Sequence, residues 1–183
     1  MYKEPENINT LIRGCKINDR KAQEQLYRCF YTAMMNLCLR YTKNETDATE
    51  VLNIGFLKIF RNIKQYDPAK AAIYTWLRAI IVNSCIDYIK AKQKEIFTTE
   101  LLQAEEIHID AAVISKMESE KILQLVRSLP PATQAVFNLY VIEGYGHKEI
   151  GKLLQITEGT SKWHLSEARK KLQQLLKQEQ HNL

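Results

Sequence analysis

A set of donors near the C-terminus carries the clearest chemical suggestion in the chain. Lys162, Trp163, Ser166, Arg169, Lys170 and Gln173 recur at helical spacing, so at about 3.6 residues per turn they share one face. Ammonium and guanidinium groups pair with phosphates, and guanidinium, amide and hydroxyl groups also reach base edges. The opposite face carries Ser161, Leu165, Ala168, Leu172, Leu175 and Leu176, a stripe suited to burial. Trp163 projects almost opposite that stripe, where a large apolar ring has two uses. It docks on another part of the chain, or it meets a duplex, for instance at a thymine methyl. A basic face alone also suits the solvated side of any helical bundle. The elements in front of it favour DNA.

A second set lies near the middle. Tyr66, Tyr74 and Trp76 flank the break at Asp67-Pro68, and Arg78, Asn83, Lys90, Lys92 and Lys94 follow. Aromatic faces beside a cationic track are what an opened strand needs. Breaking a stacked DNA step costs roughly 1.4 kcal/mol, and base–aromatic stacking returns about 1–3 kcal/mol per base. Trp76 also serves as a plain core residue, which leaves Tyr74 and Asn83 as the freer candidates.

No catalytic set is visible. Cysteines stand at 15, 29, 38 and 85 without a CxxC pair, and histidines are scattered at 108, 147, 164 and 181. Neither spacing fits a metal template. Phosphate-loop, dinucleotide and nucleophile-elbow motifs are missing. The expectation is a chain with no catalytic residues, no metal and no cofactor, its cysteines reduced and mostly buried in a cytoplasmic protein. No apolar run spans a bilayer and no signal peptide opens the chain.

The elements that position these side chains all read as helices, so the fold class is all-α. Leu129-Pro130-Pro131 blocks one helix and starts the next, over about 132–142. Gly144 and Gly146 end it. A short helix over 147–154 buries Ile150, Leu153 and Leu154, and Gly151 permits a close approach. The turn Gln155-Ile156-Thr157 leads into the long basic helix, with Thr157 as its cap. Short helix, brief turn and longer basic helix form the helix-turn-helix pattern. Upstream, apolar periodicity predicts helices after Pro5 to about Lys16, from Asn18-Asp19 to about Tyr41, from Glu45 to Ile63 behind an Asn44 cap, and from Ile73 to Lys94.

The 183 residues carry 45% hydrophobic and 26% charged residues, ordinary for a globular chain, with a formal net charge of +5. The charge distribution is more informative than its sum. From Glu95 to Glu120 the chain is acidic, while the flanking helices are basic. The expected organisation is a helical bundle over 1–94, an acidic linker over 95–112 and a helix-turn-helix domain over 113–183. Fully extended, that linker reaches about 60 Å, nearly two turns of duplex at about 34 Å each.

Two blocks together resemble a bacterial sigma factor of the extracytoplasmic-function (ECF) group. Asp47 to Lys94, DATEVLNIGFLKIFRNIKQYDPAKAAIYTWLRAIIVNSCIDYIKAKQK, is similar to sigma region 2. Leu129 to Leu176, with its LPP start and its EGYGHKEIGKLL, ITEGTSK and ARKKL segments, is similar to sigma region 4. The resemblance implies a dissociable promoter-recognition subunit of RNA polymerase. Docking on the clamp helices of the largest subunit of core RNA polymerase would fall to Asp47, Glu50, Asn53, Phe56, Leu57 and Phe60. Reading of the melted −10 strand of promoter DNA would fall to Lys70, Ala71, Ala72, Ile73, Tyr74 and Asn83. The major groove of the −35 element would meet Thr160, Ser161, Lys162, Trp163, Ser166, Arg169 and Lys170. The resemblance also implies an anti-sigma factor, often membrane-tethered, while this chain itself inserts in no membrane.

This sequence departs from the family's usual pattern at several positions. Asn53 replaces a usual Gln, and Ile54 and Gly55 stand where an acidic residue and a Val or Thr are common. Ile73 stands where an aromatic is frequent. Ser161 replaces a usual Val, and Trp163 and His164 replace small and basic residues. Two other classes fit the same residues: a stand-alone helix-turn-helix regulator whose front bundle senses a ligand or dimerises, and a helical adaptor without DNA binding. A palindromic site bound without polymerase marks the first. Indifference to loss of Lys162, Arg169 and Lys170 marks the second.

Overall fold

The computed structural model describes residues 7–92 and 124–181, with side chains through 176. The expected acidic linker over 95–112 and residues 113–123 of the expected helix-turn-helix domain lie outside the described residues. Every regular element among those residues is helical: α1 (Ile8–Lys16), α2 (Arg20–Leu39), α3 (Glu45–Asn62), α4 (Ile73–Ala91), α5 (Pro131–Phe137), α6 (His147–Leu154) and α7 (Glu158–His181). Two compact units divide the chain, 1–39 with 44–85 and 40–43 with 86–183. That division falls inside α4, whereas the sequence alone ends the first domain at 94.

In the first unit α1 packs on α2 and α2 on α3. Leu26, Phe30, Met34, Leu52, Ile59, Leu77 and Ile81 are fully enclosed, and each such side chain contributes about 1.5–3 kcal/mol on burial. The entry to α3 is fixed by Asn44, whose carboxamide oxygen accepts from the Asp47 N–H at 2.8 Å. Gly55 lies where α3 meets α4, because a β-carbon there would collide with the Ile81 side chain. A 3₁₀ turn over Ile63–Gln65 leads to the loop before α4. Within that loop Tyr66 is buried, and its hydroxyl donates to the Ala71 carbonyl at 3.1 Å. The Lys16 ammonium ties α1 to the same loop by donating to the Tyr66 carbonyl at 3.0 Å.

The second unit is built around α5, whose Ala132, Ala135, Val136 and Phe137 are all buried. Pro131 occupies its first turn, where its missing N–H has no partner to lose. The helix widens into a π-helical segment over Asn138–Ile142. Gly144, at φ +79°, closes that segment. The next two helices are joined by a turn that begins at Gln155, itself left-handed at φ +56°. Gly151 faces that turn rather than another helix: a β-carbon on it would sit 2.9 Å from the Ile156 carbonyl oxygen. Thr157 caps α7, its hydroxyl accepting from the Thr160 N–H at 3.0 Å.

Candidate nucleic-acid interface

The recognition module consists of α5, α6 and α7, which pack on one another around Val136, Leu139, Ile150, Leu154, Leu165, Ala168 and Leu172. The predicted stripe of α7 is buried at Ser161, Leu165, Ala168 and Leu172, while Leu175 and Leu176 are half-buried. Two histidine–hydroxyl pairs join α7 to the helices beneath it. His147 Nδ1 and Ser161 Oγ share a hydrogen bond at 3.0 Å, and His164 Nδ1 and Thr133 Oγ1 share one at 3.1 Å. His164 is enclosed, and burial pushes its pKa down to about 4. The sequence alone gave neither histidine a role. Buried faces are read by hydrophobicity, and a histidine adds no hydrophobic signal to them.

Seven residues of this module were expected at duplex, and the structure sorts them. Lys162 is exposed and forms an ion pair with Glu158 at 2.9 Å, which raises the lysine pKa and lowers that of the carboxylate. Trp163 is half-buried, its ring edge-on to His164 at 4.7 Å between centroids. Arg169 and Lys170 are half-exposed, with Lys170 placed 3.4 Å from Glu167. Thr160 is half-exposed, its hydroxyl 2.8 Å from that of Thr157. Ser161 is fully buried and bonded to His147, so its side chain does not reach the outer face. The Ser166 hydroxyl is likewise enclosed. The outer face is therefore Lys162, Trp163, Arg169 and Lys170.

In the first unit the loop residues Lys70 and Ala72 are exposed, Ala71 is half-buried, and Tyr74 is half-buried beside Phe30. Ile73 is part of the core, at 1% exposure, and presents no surface to a base. Asn83 is exposed, but ten residues of helix from Ile73 place it about 15 Å along the axis. Trp76 covers the buried Tyr66 ring at 5.4 Å between centroids. Lys70, Ala71 and Ala72 thus lead into Tyr74, while Trp76, two residues further along the helix, faces Tyr66 instead, and Asn83 lies apart.

The positions expected to meet core polymerase lie along α3. Glu50 and Asn53 are exposed, Asp47 and Phe60 are half-buried, and Leu57 is 50% exposed. Phe56 is buried instead, with the Tyr27 ring 4.6 Å away. It is a core residue of the α2–α3 pair. Sequence reasoning missed Tyr27 and Tyr31, whose rings lie 5.6 Å apart on α2. Tyr27 donates its hydroxyl to the Asn53 side-chain oxygen at 3.2 Å. Ile54 on α3 and Tyr31 on α2 are also exposed.

An all-α chain whose second unit is a helix-turn-helix with a cationic, aromatic outer face belongs to the class of duplex-DNA-binding proteins. Comparison with known families narrows that class. The family described as Sigma-70 region 2 matches residues 26–95, and Sigma-70, region 4 matches residues 119–172. The ECF RNA polymerase sigma factor SigW of Bacillus subtilis is 27% identical over 182 residues, covering 93% of this chain and 97% of that protein. The ECF RNA polymerase sigma factor SigM of Mycobacterium tuberculosis is 28% identical over 169 residues, covering 91% and 83%. Among solved structures, CnrH in complex with the cytosolic domain of CnrY aligns over 94% of this chain and 98% of that one, at 18% identity and a TM-score of 0.47. The chain belongs to the ECF group of RNA polymerase sigma factors. Its role is therefore regulatory: it directs transcription initiation by RNA polymerase.

Proposed function

We propose that the two units divide one promoter between them. The second unit seats Lys162, Trp163, Arg169 and Lys170 of α7 in the duplex of the upstream −35 element, with Thr160 at the helix start. The first unit holds the melted −10 strand at Lys70, Ala71, Ala72 and Tyr74, and Asn83 meets it further along. Glu50, Asn53 and Leu57, flanked by Asp47 and Phe60, face the clamp helices of the largest core subunit. The observation that carries this reading is the outer face of α7, where three cations and one indole stand on a helix-turn-helix frame.

As an ECF factor the chain is also taken to work in the cytoplasm, under restraint by an anti-sigma partner. Among the described residues no helix is long and apolar enough to cross a membrane. Footprinting of the chain with core polymerase on a bound promoter tests the division. Two separate protected segments, with unpaired bases in the downstream one, support it. One continuous protected site formed without polymerase favours the stand-alone regulator.

A further inference from the structure

The pair formed by His147 and Ser161 puts a titratable ring at the edge of the proposed duplex face. His147 opens α6, yet its neighbours are those of the recognition helix. Nδ1 is bonded to the Ser161 hydroxyl at 3.0 Å, and the ring stacks on Tyr140 at 4.5 Å between centroids and 21° between planes. The ring is half-buried, so part of it reaches solvent. Lys162 and Arg169, both on the outer face, act on it electrostatically, as does Glu158. Lys148 and Glu149 are its charged neighbours on α6.

We propose that His147 is a proton-linked member of the duplex-binding surface, taking up a proton as DNA phosphates approach Lys162 and Arg169. This rests on reading the outer face of α7 as the duplex contact. In the free protein, burial and then the charge of Lys162 hold the His147 pKa below its ordinary value, with Glu158 opposing and Arg169 adding. Phosphates reverse that balance, because they neutralise the two cations and bring anions next to the ring. The hydrogen bond survives protonation, since in the charged form Nδ1–H donates to the serine oxygen, whichever of the two donates in the neutral form. The Tyr140 face also favours a cation stacked on it. The pKa is thus higher in the complex than in the free chain, so affinity rises as pH falls between those two values.

The test measures binding of the full chain to a short random-sequence DNA duplex at low salt, because phosphate contacts do not depend on sequence. Anisotropy is followed from about pH 5.5 to about pH 8, the range spanning an ordinary histidine. For one linked proton, wild-type affinity should rise by up to about tenfold per pH unit as pH falls. His147→Gln, which keeps a donor for Ser161, should lose most of that slope, and so should His147→Lys, which fixes the charge. NMR of the His147 ring should show its pKa moving up on adding duplex. Circular dichroism confirms that each variant is folded. Equal pH slopes in wild type and both variants, with binding still sensitive to Lys162→Ala, overturn this inference alone. Absence of duplex binding at every pH removes the reading of the α7 face, and this inference with it.

Discussion

Thr133 Oγ1 and His164 Nδ1 lie 3.1 Å apart inside the second unit, joining α5 to the recognition helix. His164 is 1% exposed, so its ring is kept neutral by burial, and its pKa falls from the ordinary 6.5 to about 4. The unfolded chain therefore takes up a proton that the folded chain refuses. Stability from this site is complete above about pH 6.5 and is lost as pH falls toward 4. The full loss is on the order of 3 kcal/mol. Thermal melts across this range should show the melting temperature dropping below pH 6.5, and His164→Gln should flatten that drop. Identical acid profiles for the two proteins would place the sensitivity elsewhere.

The α7 cations can be read through salt. Replacing Lys162, Arg169 and Lys170 together with Ala should weaken duplex binding and flatten its dependence on salt. Each lost phosphate contact removes roughly 0.9 from the slope of log affinity against log salt. An unchanged slope would show that these cations touch no phosphate.

Leu57 and Phe56 are neighbours in sequence and opposites in space. Leu57 is half exposed, whereas Phe56 is 2% exposed and packed on Tyr27. Leu57→Glu should leave the melting temperature within a few degrees and weaken association with core polymerase at least about tenfold, or roughly 1.4 kcal/mol. Phe56→Glu should instead unfold the first unit, since a buried charge is added to a lost ring worth about 3–5 kcal/mol. Size-exclusion chromatography with core enzyme, read beside circular dichroism, separates the two outcomes.

Trp163 is half-buried with its ring edge on His164. Trp163→Ala should shift the preferred upstream sequence while lowering stability by only about 1 kcal/mol. Selection of bound duplexes from a random pool, with a parallel melt, measures both. A large loss of stability with an unaltered preference would make the ring a structural prop.

Helix positions were legible in the sequence because capping and periodicity are local. Asn44 and Thr157 cap the helices they were expected to cap, and the two prolines at 130 and 131 open α5. The facing of single residues was less legible. Phe56 and Ile73 stand both in the apolar pattern of their helices and at matched positions of the family, and their burial follows the pattern, since a matched position does not reveal which way its side chain points. Phe56 packs on Tyr27 of α2, a partner distant in sequence. Ser161 belonged both to the apolar stripe and to the family's groove-reading positions, and its buried bond to His147 resolves that conflict. Gly151 was legible as a close approach, but the turn backbone rather than a helix is what approaches it.

Run-off transcription with core RNA polymerase on a promoter library, with and without this chain, bears most directly on the central claim. The account predicts transcripts that depend on the chain and start downstream of two recurrent sequence elements. They should be lost with the triple Lys162, Arg169 and Lys170 substitution, and also with Leu57→Glu. Transcription from the same library that is indifferent to the chain, with no complex formed between chain and core enzyme, would contradict it.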